Sequence, residues 1–385
     1  MSIVKFGDIV REVKLNVDRD NNPYEFYVAG EHMDTEDLTI RCKGLFATDD
    51  VGPAFTRIFK KGQILYGSRR TYLKKVAVAD FDGICSNTTF VLESKNEHVF
   101  CQKLLPFIML TDSFTKWSIS HSKGSTNPYI LFSDLANYEF ELPVLEEQKV
   151  LAEKLWAAYE VKESYKNLLT QTDKLLHAQF YKMFGDAFSQ STTEKRVKLQ
   201  ELCTLNPRRT HTYSTNLEVS FFPMEEVRED GRYTRFPTRP YNEVSKGFTF
   251  AEDGDVLFAK ITPCMENGKG TILRCLSNHI GFGSTEFHVL RPKENVSTSE
   301  WLYVLTSLPQ FRAEAAKMMS GTGGQKRVPL SFLADFLVDI PDMEQQKYFA
   351  AIFHQAEKTK EMLRNGIAAI EAVIRSLIAE GTTKI

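Results

Sequence analysis

No run of 18 apolar residues occurs in the chain, and the N-terminal MSIVKFGDIVREVK enters a mixed segment directly. A helical membrane span is thereby excluded, and no signal peptide is expected. The six cysteines (Cys42, Cys85, Cys101, Cys203, Cys264, Cys275) form no CxxC pair and keep no fixed rhythm. Reduced thiols in a cytosolic protein are expected, not a disulfide framework or a zinc site. A large excess of one charge is also missing: 48 basic residues meet 50 acidic ones, giving a net charge of −2. No global basic character points to nucleic acid. Catalytic signatures fail one by one. NNPYEF (21–26) and TNPYI (126–130) resemble the Asn-Pro-Pro-Tyr of amino-methyltransferases but lack the second proline. PDMEQQK (341–347) has the wrong spacing for a nuclease, and GTGGQKR (321–327) does not fit the phosphate-binding GxxxxGK[ST]. The eight histidines are scattered without HExxH. No catalytic residue, metal ligand or cofactor is nominated.

What is present is a repeat. FELPVLEEQK at 140–149 and VDIPDMEQQK at 338–347 are one strand-to-helix junction written twice, 198 positions apart. GICSNTTFVLESK (83–95) matches GFGSTEFHVLRPK (281–293) at the same offset. KKGQILYGSRR (60–70) resembles EDGDVLFAKIT (252–262), and VKFGDI (4–9) resembles VKLQEL (197–202), at slightly shorter offsets. Slippage of this size fits loop insertions in duplicated globular domains rather than a short-period solenoid. With 42% hydrophobic residues over 385 positions, each half can bury its own core.

Four segments follow: 1–143, 144–184, 185–341 and 342–385. The first and third are rich in short strands and turns, with helical patches expected near 100–117. The second contains no proline or glycine. Leu151, Leu155, Ala158, Lys162, Tyr165, Leu169, Thr172, Leu176 and Gln179 recur in it at alternating steps of four and three. Phe349, Phe353, Ala356, Lys360, Leu363, Ile367, Ile370, Ile374 and Leu377 repeat that list at the 198 offset. Both are heptad seams, with lysines at matching places. Each helix would run about 60 Å at 1.5 Å per residue. Gly366 costs the second helix about 1 kcal/mol. One arrangement pairs helix with helix as a coiled-coil spacer holding two domains apart; the other packs each helix on its own domain.

A binding signal occurs in both halves. From Val51 to Ala79 no acidic residue occurs, while Lys60, Lys61, Arg69, Arg70, Lys74 and Lys75 do, beside Tyr66 and Tyr72. Ser113 to Ser133 is again free of acids and holds Lys123, Ser125, Thr126, Asn127 and Tyr129, with Asn87 in the repeated GICSNTTFVLESK segment. The second half offers Lys260, Thr262, Asn267 and Lys269 in KITPCMENGKG, then Ser284 and Thr285. Thr322, Gln325, Lys326 and Arg327 follow in SGTGGQKR. Lys and Arg neutralise phosphates and fork onto guanine edges, Asn and Gln match adenine, and glycines allow close backbone approach. A solvated loop explains any one stretch; recurrence in two copies favours binding.

These features together resemble the specificity (S) subunit of type I DNA restriction-modification enzymes over essentially the whole chain. The resemblance is carried by the paired junctions, HAQFYKMFGD (177–186), KITPCMENGKG (260–270), GSTEFHVLRP (283–292) and GTGGQKRVP (321–329). GSRRTYLKK (67–75) and SKGSTNPYI (122–130) replace the KITP and GTGGQKRVP elements in the first half. The resemblance implies an α+β fold: two similar target recognition domains joined by two long antiparallel coiled-coil helices with a pseudo-twofold repeat. It implies a non-catalytic subunit in the prokaryotic cytoplasm that reads a bipartite, gapped site in double-stranded DNA. Two methyltransferase (M) subunits and the restriction motor-nuclease (R) subunits are the implied partners, and S-adenosylmethionine, ATP and Mg belong to them alone. The alternatives are the specificity subunit of a motor-less methylation-guided nuclease and, from another class, a coiled-coil scaffold with no role on DNA.

Overall fold

The computed structural model describes residues 2–18, 21–185, 196–322, 324–339 and 342–381. Asp186, Gly323 and Pro341, used above in reading the repeat, lie outside them. The chain forms two compact units, Met1–Lys166 with Arg364–Ile385, and Asn167–Leu363.

Among the described residues the first unit holds ten strands: β1 (Ser2–Lys5), β2 (Val10–Glu12), β3 (Phe26–Val28), β4 (Gly44–Leu45), β5 (Phe55–Phe59), β6 (Ile64–Gly67), β7 (Val76–Val78), β8 (Gly83–Ser86), β9 (Thr89–Ser94) and β10 (Glu139–Leu142). They form sheets in the orders β2-β9-β6-β7 and β4-β3-β8-β5, and a ribbon β1-β10. The second unit holds β11 (Arg196–Lys198), β12 (Cys203–Leu205), β13 (Glu218–Phe222), β14 (Thr238–Pro240), β15 (Thr249–Glu252), β16 (Val256–Ala259), β17 (Gly270–Ile272), β18 (Ile280–Gly283), β19 (Phe287–Pro292) and β20 (Leu337–Asp339). Its sheets run β12-β19-β16-β17 and β14-β13-β18-β15, with the ribbon β11-β20. The parallel pairing of β3 with β8 recurs as β13 with β18. Register repeats as well: Ile64 faces Leu92 as Val256 faces Leu290. The duplication in the sequence is a duplication of topology.

β6 and β16 read as unbroken apolar runs because both of their faces are covered. Ile64 and Tyr66 point to a layer of helices with Phe107 and Phe114, while Leu65 points to the second sheet with Val28 and Phe59. In the second unit Val256 and Phe258 join Trp301 and Phe311, and Leu257 and Ala259 join Phe222. The period-2 alternation therefore sorts residues between two cores. The helical patch near 100–117 is two helices, Leu105–Met109 and Asp112–Ser120.

The long helices are Leu145–Phe184 and Met343–Gly381. All eighteen seam residues are buried or half-buried. In the first unit the helical stretches run antiparallel, since Leu151 meets Gly381 and Tyr165 meets Gly366. In the second unit Phe180 and Phe184 pack on Phe349, and Lys360 Nζ reaches Asp173 at 2.8 Å. The same stretches also enter the domain cores: Leu155 and Tyr159 in the first unit, Leu176, Phe180 and Phe353 in the second. The two arrangements considered for the helices are therefore not exclusive. Gly366 has a packing reason, because a Cβ there would come within 2.4 Å of the Tyr165 ring.

The repeated EEQK and EQQK have a structural role that their sequence did not disclose. Gln148 is buried; its amide donates to Val99 O, and its Oε1 accepts from Cys101 N at 2.9 Å. Gln346, also buried, donates to Val296 O and accepts from Thr298 N at 2.9 Å. Each glutamine ties the start of a long helix to the backbone of its own domain. No helix among the described residues is long and apolar enough to cross a membrane.

Candidate nucleic-acid interface

β6 and β16 each run out of the sheet into a loop that pairs with a second loop from far along the chain. In the first unit Arg70 N donates to Pro128 O (2.7 Å), Ile130 N to Ser68 O (2.9 Å), and Lys123 and Tyr129 exchange both backbone bonds. In the second unit Thr262 N donates to Lys326 O (3.0 Å), Val328 N to Lys260 O (2.8 Å), and Ser320 and Arg327 exchange both bonds. The bonds correspond one for one, although the loop from Ser320 to Arg327 is one residue longer than that from Lys123 to Tyr129. GSRRTYLKK and KITP occupy one structural position, SKGSTNPYI and GTGGQKRVP the other. Equivalent places then carry different side chains: Arg69 against Ile261, Arg70 against Thr262, Tyr129 against Arg327.

In the first unit this pairing exposes Arg69, Arg70, Lys123, Ser125, Thr126, Asn127 and Tyr129 together. Arg70 takes a left-handed φ of 51° and its Nε donates to Asn127 Oδ1 at 3.2 Å. Tyr72 lies exposed in the 3-10 turn that follows. In the second unit Thr322, Gln325 and Lys326 are exposed at the loop tip, above half-buried Thr262 and Arg327. Gly321 has φ 139°, and a Cβ there would meet Gln325 O at 2.5 Å, so the tip requires glycine. Arg327 forks onto Glu286, and that pairing holds the Glu286 carboxyl below the usual range.

The stretch from Val51 to Ala79 is not one patch. Lys60 and Lys61 sit in the turn between β5 and β6, and Arg69, Arg70, Lys74 and Lys75 beyond the end of β6. Acids from elsewhere reach the cations. Lys60 Nζ pairs with Asp82 at 2.9 Å and with Tyr24 Oη; Lys61 N donates to the same carboxylate. Lys74 bridges Glu36 and Asp112, Lys75 donates to Gly30 O, and Lys123 pairs with Asp134 at 3.1 Å. Asn87 is exposed at the turn between β8 and β9. In the second unit Ser284 caps Glu286 N, Thr285 is exposed, Asn267 donates to Glu229, and Lys269 donates to Met224 O. Among the described residues no group of His, Cys, Asp and Glu is arranged to hold a metal ion.

A family model for the type I restriction modification DNA specificity domain matches residues 7–171 and 192–372. This chain belongs to that family. Two specificity subunits from Escherichia coli are similar to it. That of type I restriction enzyme EcoEI is 31% identical over 189 residues, 48% of this chain and 32% of that protein. That of EcoAI is 34% identical over 159 residues, 41% of this chain and 27% of that protein. The matches thus span about a third of those relatives or less. Among solved structures, the type I restriction-modification S subunit from M. genitalium aligns over the whole chain and 96% of its own, at TM-score 0.54 and 15% identity. A chain from a study of type I R-M complex assembly aligns over 99% of this one and 97% of its own, at TM-score 0.53 and 20% identity. At these identities the likeness is one of fold.

Three features of this specificity-family chain escaped the sequence reading. Arg312 is a buried cation that faces no carboxylate among the described residues; its guanidinium donates to the carbonyls of Met265, Gly268, Lys269 and Thr306 and lies 4.5 Å over Phe258. Burial lowers its pKa to about 10, so it stays charged at neutral pH. It thereby holds the ENGK turn. His288 is buried beneath the paired loops, with Nε2 donating to Val328 O at 3.0 Å and Nδ1 accepting from Asn206 at 3.3 Å. Burial pushes its pKa down. Arg208 and Arg209, in NPRRT, line a cleft beside Lys260 and Thr285. The Arg208-Arg209 pair in NPRRT is the signal that could have found them.

Proposed function

We propose that the chain is the DNA-reading subunit of a type I restriction-modification assembly, without catalysis of its own, each unit reading one half of a split site. The observation that carries this reading is the loop pairing, built from corresponding backbone bonds in both units but different side chains. A scaffold has no need for such a device twice. Exposed side chains at the loop tips supply hydrogen-bonding groups for base edges, and exposed Arg and Lys supply phosphate contacts.

The long helices are the proposed docking surface for two methyltransferase subunits. Val161, Leu168 and Leu175 are exposed at heptad spacing on the first helix, and Tyr348, Met362 and Val373 are exposed on the second. Val150 with Tyr348, and Leu175 with Val373, are exposed pairs at the repeat offset, which supports two equivalent docking sites. S-adenosylmethionine, ATP and Mg are assigned to the methyltransferase and motor-nuclease partners, and the assembly to the cytoplasm.

Genome-wide mapping of methyladenine in the source cell, before and after deletion of this chain, tests the proposal. A split, non-palindromic motif with one modified adenine per half-site should vanish on deletion. A palindromic motif would contradict different reading by the two units, and an unchanged methylome would contradict any recognition role. Binding of S-adenosylmethionine by the purified chain would contradict the assignment of chemistry to partners.

A further inference from the structure

The two units differ at one place where their topology is the same. Val13 N donates to Val91 O (2.8 Å), and Asn206 N to Val289 O (2.7 Å), so the chain leaves β2 and β12 from equivalent positions. In the first unit the following stretch is zipped to β5: Ile58 N donates to Leu15 O (2.8 Å) and Val17 N to Thr56 O (2.9 Å). In the second unit the stretch from Pro207 to Arg209 makes no backbone hydrogen bond to β15 among the described residues. A cleft of about 510 Å³ opens there instead.

Its lining includes Arg208, Arg209, Lys260, Thr285 and the exposed ring of Phe248, and no carboxylate. Arg209 is pre-oriented by Tyr241, whose hydroxyl accepts from Nη1. Arg208 has no carboxylate within ion-pair distance among the described residues, and its side chain is exposed. Three cations, a hydroxyl and an aromatic face suit a phosphodiester with its sugar or base laid against the ring. Lys260 and Thr285 also adjoin the paired loops. We infer that this cleft is a DNA-phosphate site of the second unit alone, gripping the backbone beside the half-site that unit reads. The inference rests on the DNA-reading function proposed above and adds an asymmetry to it: the second half-site is held by a backbone contact that the zipped first unit cannot make.

The test uses the complex purified from its own cells through a tag on this chain, with a labelled duplex carrying the mapped methylation motif. The variants are Arg208→Ala, Arg208→Lys and, in the paired loop, Lys326→Ala. Losing one phosphate contact should weaken binding about fivefold at 0.15 M salt and lower the log–log salt slope by about 0.9. Random phosphate ethylation should interfere at a position beside the second half-site in the wild type, and that interference should disappear in Arg208→Ala. Arg208→Lys should restore the slope. An unchanged slope and ethylation pattern in Arg208→Ala, with base preference altered by Lys326→Ala, would overturn the cleft assignment and leave DNA reading intact. Loss of interference beside the first half-site would overturn it too. So would inorganic phosphate binding that depends on Arg208 while duplex affinity does not. A wild-type complex without salt-dependent duplex binding would remove both proposals.

Discussion

At the scale of single residues, buried Arg312 shows how a side chain can act on a proposed interface without reaching it. Four backbone carbonyls depend on its guanidinium, three of them in the Met265–Lys269 turn. Replacing Arg312 with methionine removes a charged donor from all four, leaving Met265 O to Gly268 N and Lys269 O to Ala259 N alone, and should cost about 2–3 kcal/mol, since hydrogen bonds to a charged group are the stronger kind. Urea denaturation measures that loss. Discrimination at the second half-site should fall with it, while the first half-site is unaffected; equal loss at both would show that the residue acts only through global stability. His288 gives a pH prediction. Its pKa is lowered in the fold by burial, so between that value and about 6.5 the unfolded chain binds the extra proton and the folded chain does not. Stability is therefore fully present above about pH 6.5 and is lost as pH falls through the folded value. His177 is lowered by burial in the same direction. The urea midpoint should fall from pH 7 to pH 5, less steeply in His288→Gln and least in His177→Gln/His288→Gln. A slope unchanged by both replacements would exclude them as the cause. The basic residues themselves were legible in the sequence, but their neighbours were not. Asp82, Glu36, Asp112 and Asp134 reach Lys60, Lys74 and Lys123 from turns, loops and helices outside the acid-free stretches, so an acid-free stretch of sequence is not an acid-free surface.

At the scale of elements, the helices were the most legible feature, since a heptad seam depends on local spacing alone. The seam lysines pair through the same symmetry as the seam: Lys162 meets Glu371 at 3.7 Å and Lys360 meets Asp173 at 2.8 Å, with both lysines and both acids at the repeat offset. Burial alone would lower the Lys360 pKa; Glu357 and Asp173 reverse that and hold it above the usual lysine range. What spacing could not reveal was why Gly366 interrupts one helix. Gly366→Ala gains about 1 kcal/mol of helix propensity but drives a methyl into the Tyr165 ring, which lies too close for a Cβ. The single variant should be destabilised by about 1–3 kcal/mol, as overpacking usually costs. Gly366→Ala/Tyr165→Ala should recover part of that loss relative to Tyr165→Ala alone, because the clash is gone and the propensity gain remains. A double-mutant cycle in thermal unfolding measures the coupling. Additive effects would mean that Tyr165 does not hold the glycine in place. The loop pairing was only half legible: the sequence matched the loops by their place in the repeat, but bonds such as Arg70 N to Pro128 O join residues 58 positions apart and leave no local pattern.

At the scale of the whole molecule, the proposed reading of two half-sites requires that the gap between them be set, and the two seams are the proposed ruler. Deleting residues 165–171 and 363–369 removes one heptad from each helix at equivalent positions and keeps both seams in phase. Each helix shortens by about 10 Å. At about 3.4 Å per base pair, that corresponds to roughly three base pairs of duplex. Three pairs are about a third of a turn, so a contact set matched to the original gap would meet the wrong side of the groove. Affinity for the original site should fall sharply, and a duplex whose gap differs by about three pairs, with unchanged half-sites, should restore it. Deleting a heptad from one helix alone breaks the match between seams and should unfold the pairing rather than retune the gap, which circular dichroism and thermal unfolding distinguish. Retained affinity for the original spacing in a folded double deletion would sink the ruler, and restoration only by altered half-site bases would place gap selection in the loops.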